Sequence, residues 1–129
     1  MQTTETTTID IMTHTIEGAM RLLVSDQRAL SAAVTAMHGG VHDDMRMIDQ
    51  LAARRDGSAE FVRGMLAVEA PRLGLGEHRV GEVVVRVRAG DISNGHLAVQ
   101  VCALLDGEVV GLTVWAGPWR LAPDWALPS

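Results

Sequence analysis

The segment His38-Gly39-Gly40-Val41-His42-Asp43-Asp44 brings two imidazoles and two carboxylates close together, the residue types from which metal sites are made. On an unbroken helix, histidines four apart share a face and can hold one ion. Here Gly39-Gly40 interrupts the helix between them, so nothing local fixes their mutual geometry, and a third ligand would have to come from as far away as His14. Helix dipoles account for the same residues without a metal, His38 lying near one helix C-terminus and Asp43 and Asp44 in the first turn of the next helix. No metal site is expected. No cofactor is expected either: Gly74-Leu75-Gly76 lacks the third glycine of a dinucleotide fingerprint and leads into a strand instead of a helix, and there is no phosphate-binding loop motif.

Nucleophiles are equally plain. Cys102 stands alone in the middle of an alternating strand pattern, where a buried, inert thiol is expected, since reactive thiols need an electropositive and partly exposed setting. Ser25, Ser31, Ser58 and Ser93 show no nucleophile-elbow signature, and Ser25 and Ser58 sit where local capping suffices. More informative is a set of polar residues on the second face of the strands. There Glu82, Arg86, Gln100, Thr113 and Trp115 alternate with Val84, Ala98 and Leu104. Such a face is too apolar for plain solvent and too polar for plain core. It fits an ordinary solvated face, a dimer interface or the wall of a ligand pocket.

These residues are carried by elements that the hydrophobic period defines. Residues 1–13 form a Thr-rich polar run expected to be a disordered extension, and residues 14–129 a single domain. Ile16, Met20, Leu23, Leu30, Val34 and Met37 repeat at helical spacing and predict one long helix over residues 14–37, stopped by Gly39-Gly40. Val41, Met45, Ile48 and Ala52 predict a second helix, closed by Asp56-Gly57-Ser58, and Phe61, Met65 and Val68 a third, ending at Pro71. Residues 72–76 read as a connector. Beyond it the period falls to two: Val83, Val85 and Val87 mark a strand over residues 80–88, and Leu97, Val99, Val101, Ala103 and Leu105 mark another. Residues 89–95 between them have turn chemistry. Asp106-Gly107 is a strong two-residue hairpin signal and leads into Val110, Leu112 and Val114. Gly117-Pro118 breaks that strand or bulges it, and Trp119-Arg120-Leu121 is expected to resume as a short edge. The fold class is therefore α+β: a long N-terminal helix and two shorter ones packed on one face of a C-terminal antiparallel sheet of three to four strands.

Composition narrows the function. The 129 residues are 47% hydrophobic and 21% charged, which supports a packed core and excludes intrinsic disorder. Eleven basic residues, all arginine, against sixteen acidic ones give a formal charge of −5, so a nucleic-acid partner is not expected. One cysteine excludes an internal disulfide framework. With no signal-peptide pattern at the N-terminus and no apolar run of membrane-spanning length, the chain reads as cytoplasmic, with no membrane partner.

A long helix, two shorter helices and a meander ending in Gly117-Pro118-Trp119-Arg120-Leu121 resembles the nuclear-transport-factor-2-like, or cystatin-like, α+β group, including its SnoaL-like branch. The resemblance implies helices wrapped against a curved sheet and a scaffold shared by isomerases, cyclases, hydrolases and interaction modules. It departs from the group's pattern in having no strand between the early helices, and it transfers no catalytic residue. Two functional readings stand. The first is a non-catalytic binding or self-association module, a homodimer whose interface includes Glu82, Arg86, Gln100, Thr113 and Trp115, with Glu82 and Arg86 paired across the axis. The alternative is a small SnoaL-like isomerase, cyclase or hydrolase acting on an apolar small molecule in a pocket between helices and sheet. In it Asp43 or Glu82 would be the base, and Arg86 or Gln100 would hold an oxyanion.

Overall fold

The computed structural model of the chain describes residues 4–38 and 45–127, with side chains from residue 16 onward. Two helices, α1 (Thr4–His38) and α2 (Met45–Leu73), precede four strands, β1 (Gly76–Val80), β2 (Val83–Ser93), β3 (His96–Leu105) and β4 (Glu108–Pro118). The strands pair antiparallel in chain order, so the α+β class and its antiparallel meander are as the periodicity requires. The corner of residues 39–44, with His42 and Asp43, lies outside the described residues.

The described residues form two helices, not three. Asp56-Gly57-Ser58 runs through α2 because Ser58 is buried against α1, where its hydroxyl donates to the Asp26 carboxylate at 2.5 Å. Gly57 faces solvent and costs the helix only about 1 kcal/mol relative to alanine. The buried stripe then continues through Ala59, Val62, Leu66 and Ala70. One neighbour reinforces the same register: Arg55 donates to the Gln27 side chain at 2.9 Å.

The sheet begins earlier than alternation alone shows. Residues 77–79, which periodicity assigns to neither the connector nor the first long strand, form β1 together with Gly76 and Val80, and a two-residue turn at Gly81-Glu82 joins it to β2. Strand β2 runs on to Ser93, so the turn expected over residues 89–95 contracts to Asn94-Gly95. Asp106-Gly107 makes the expected hairpin, both residues having positive φ (49° and 84°), as a right-twisting two-residue turn requires. Trp119–Leu121 is a 3-10 turn and not an edge strand.

Gly81 shows how α1 is tied to the sheet. Its φ is +64°, and an added Cβ would lie 2.8 Å from the Glu17 carboxylate, which accepts the Glu82 backbone N–H at 2.9 Å and an Arg21 N–H at 3.1 Å. Gly81→Ala is expected to cost at least about 1–2 kcal/mol from the left-handed backbone alone, read as a lower urea midpoint at unchanged slope.

The described helices cover one face of the sheet. Met20, Val62 and Leu66 from the helices meet Val85, Val99 and Val101 from the strands, each at most 2% exposed. Arg63 of α2 reaches the outer strand, donating to the Gly111 carbonyl at 3.3 Å.

Candidate binding face

The other face of the sheet carries no described element. Period-two alternation places Val84, Arg86 and Arg88 of β2 and Ala98, Gln100, Cys102 and Leu104 of β3 there, opposite the buried Val83, Val85, Val87, Val99 and Val101. Of the residues expected to share it, Arg86, Gln100 and Thr113 do. Glu82 does not: it sits in the β1–β2 turn at the end of the sheet, so it does not line up with Arg86 in a strand row. Within the chain, the ion-pair partner of Arg86 is Glu77 of β1, its register neighbour, 2.8 Å away. Hydrogen bonding to Arg86, followed by its charge, holds the Glu77 carboxyl below the ordinary carboxylate range and raises the Arg86 guanidinium above its own. A carboxyl lowered in the folded state contributes stability above the ordinary carboxylate range and loses it as pH falls through the lowered value. On so exposed a pair that contribution is small.

Trp115 is the larger correction. A β-bulge in β4 inserts Val114: Gln100 pairs with Thr113, but Val99 pairs with Trp115. The extra residue reverses the alternation, so Trp115 lies on the helix side, packed against the core. Gly117 gives its indole room, since a Cβ there would meet the ring at 3.2 Å. The alternation in Val110, Leu112 and Val114 carries no sign of the extra residue, and only the break suspected at Gly117-Pro118 hinted that β4 was irregular.

Cys102 also departs from expectation, being half-buried on the open face instead of sealed in the core. Arg88, two residues beyond Arg86 on the same face of β2, and Glu77 and Arg79 of β1, which carry no alternation of their own, complete the charged set on the strands of this face.

In register, the open face forms rows across β2, β3 and β4, and beyond a row of small residues at one end (Gly90, Ala98 and Ala116) three rows follow. Arg88, Gln100 and Thr113 form the first, Arg86, Cys102 and Gly111 the second, and Val84, Leu104 and Val109 the third. The first row is exposed, and its three side chains make no hydrogen bond or ion pair with the described residues. The second has a floor of small side chains. The third is apolar, with Val109 60% exposed. A trough of about 500 Å³ lies over the first two rows, and another of about 620 Å³ lies at the end of the sheet, where Val84, Leu104 and Val109 share it with Arg21, Glu82 and Asp106. Among the described strand residues of this face, three arginines, Arg79, Arg86 and Arg88, face one acid, Glu77, while Glu82 and Asp106 lie in the turns at the far end, beside the third row.

On the opposite side of the sheet, the catalytic candidates do not converge. Asp43 is outside the described residues and Glu82 is at a turn; the centre of the helix–sheet layer is filled by the side chains named above, and the cleft of about 480 Å³ at its edge, where α1, α2 and β4 meet, is lined by none of the candidates. Among the described residues no group of three histidine, cysteine, aspartate or glutamate side chains is placed to hold a metal, and no helix is long and apolar enough to cross a membrane. Compared with known proteins, the chain matches no protein family, no curated protein and no solved structure.

Proposed function

We propose that this chain is a non-catalytic association module and that its open sheet face is where it associates, in the first instance with a second copy of itself. One observation carries the reading: a sheet face that no described element covers, whose third row is apolar and whose second is small enough for close approach. Packed sheets ordinarily bury such rows against another layer, and a two-fold pair satisfies the need with one gene product. The nuclear-transport-factor-2-like resemblance enters only as the proposal that this is a variant of helices packed on a meander. The alternative, an isomerase, cyclase or hydrolase of an apolar small molecule, has less support, because among the described residues no carboxylate lines the trough beside Arg86 and Gln100.

Light scattering at micromolar concentration tests the proposal. The expected mass is twice the 13.9 kDa of the chain, returning to 13.9 kDa in Leu104→Glu, with the helical circular dichroism retained. Trp115→Glu behaves differently under this reading, lowering the melting temperature because the charge enters the core side of the sheet. A wild-type mass of 13.9 kDa throughout the micromolar range would overturn the homotypic part of the proposal.

A further inference from the structure

We infer that the open face binds a single-chain anionic amphiphile, with a carboxylate head at Arg88, Gln100 and Thr113 and an alkyl tail running over Cys102 and Gly111 to Val84, Leu104 and Val109. The observation is a fall in polarity from the Arg88 row to the Val84 row that three strands share, with the small row of Gly90, Ala98 and Ala116 behind the head. β2 runs from Arg88 through Arg86 to Val84, β3 from Gln100 through Cys102 to Leu104, and β4 from Thr113 through Gly111 to Val109. Because neighbouring strands are antiparallel, β3 carries the gradient in the opposite chain direction from β2 and β4. Amino-acid bias along the chain therefore does not explain the agreement.

The head end matches an anion in charge and in bonding. Arg88 supplies a planar fork of donors suited to a carboxylate, Gln100 an amide donor and Thr113 a hydroxyl, and none of the three is engaged within the described chain. Arg86 stands one row behind, shared with Glu77 at 2.8 Å, and adds positive potential without giving up its partner. The floor of the second row suits a methylene chain, because Cys102 and Gly111 leave the trough open at its middle. Successive same-face residues on a strand are about 7 Å apart, so the three rows span about 14 Å, the reach of an alkyl chain of about ten carbons.

The inference rests on the proposed function only where a facing copy closes the trough; binding to one chain does not require it.

The probe is decanoate, titrated into the full chain by calorimetry and by amide chemical shifts, with acetate and decyltrimethylammonium as controls for the head alone and for the same tail under the opposite charge. Saturable binding of decanoate is expected, with shifts at Gln100, Cys102, Leu104 and Thr113. Acetate should bind far more weakly, and decyltrimethylammonium should not perturb these residues. Arg88→Gln, an exposed substitution that leaves the core intact, should weaken decanoate binding by roughly tenfold or more, as loss of a charged hydrogen bond does. Equal binding of the cationic probe, shifts confined to the apolar groove at Phe61 and Val68 of α2, or no saturable binding would overturn the inference. Light scattering on the same samples separates the two ideas. Decanoate binding by a chain that stays at 13.9 kDa upholds the site and refutes the homotypic pair. A dimer indifferent to decanoate does the reverse.

Discussion

Leu66→Ala is expected to lower the unfolding free energy by about 3–4 kcal/mol, the largest effect of any single change considered. Leu66 is fully buried on α2, in the layer between that helix and the sheet. Truncation removes the transfer free energy of the lost methyl groups and leaves a cavity that its neighbours cannot easily close. Those neighbours include Val62 on the same helix and the strand valines, whose branched side chains have little rotamer freedom. The check is urea denaturation followed by circular dichroism, with the midpoint falling and the slope unchanged. A loss below about 1 kcal/mol would mean that the helical layer does not pack on the sheet as described.

The next largest effect belongs to the buried pair that joins the helices. Asp26 and Ser58 are 6% and 7% exposed, and their hydrogen bond is 2.5 Å long. Ser58→Ala leaves a buried carboxylate without its donor and is expected to cost about 3 kcal/mol. In Asp26→Leu/Ser58→Ala neither polar group remains, so most of that loss should be recovered. A double-mutant cycle with Asp26→Leu should therefore show coupling of at least about 1 kcal/mol. Strict additivity would show that the two groups do not depend on each other. The bond also selects register: sliding α2 by one turn, about 5.4 Å, would bury both groups without partners.

Several features of this molecule were legible in the chain because they are local. The 3.6-residue period at Ile16, Met20 and Leu23 and the two-residue period at Val83, Val85 and Val87 specify which side of each element faces inward, and these residues are buried as those periods require. Asp106-Gly107 specifies its hairpin because few residue pairs tolerate two successive positive φ values. From these signals follow the α+β class, the antiparallel meander and the assignment of Arg86 and Gln100 to the face away from the core.

What only the tertiary structure decided depends on contacts between distant residues. Asp56-Gly57-Ser58 has the composition of a turn, yet it stays helical because Asp26, thirty-two positions away, accepts the hydrogen bond from Ser58. Strand β1 is too polar and too short to show alternation, and pairing with β2 forms it. The side on which Trp115 lies was settled by the bulge at Val114: one extra residue in β4 reverses the two-residue period, and both Val114 and Trp115 are apolar enough to suit the core. The three aligned polarity gradients depend on register across strands. No single strand contains them, and the hairpins that set that register also place Arg88, Gln100 and Thr113 side by side.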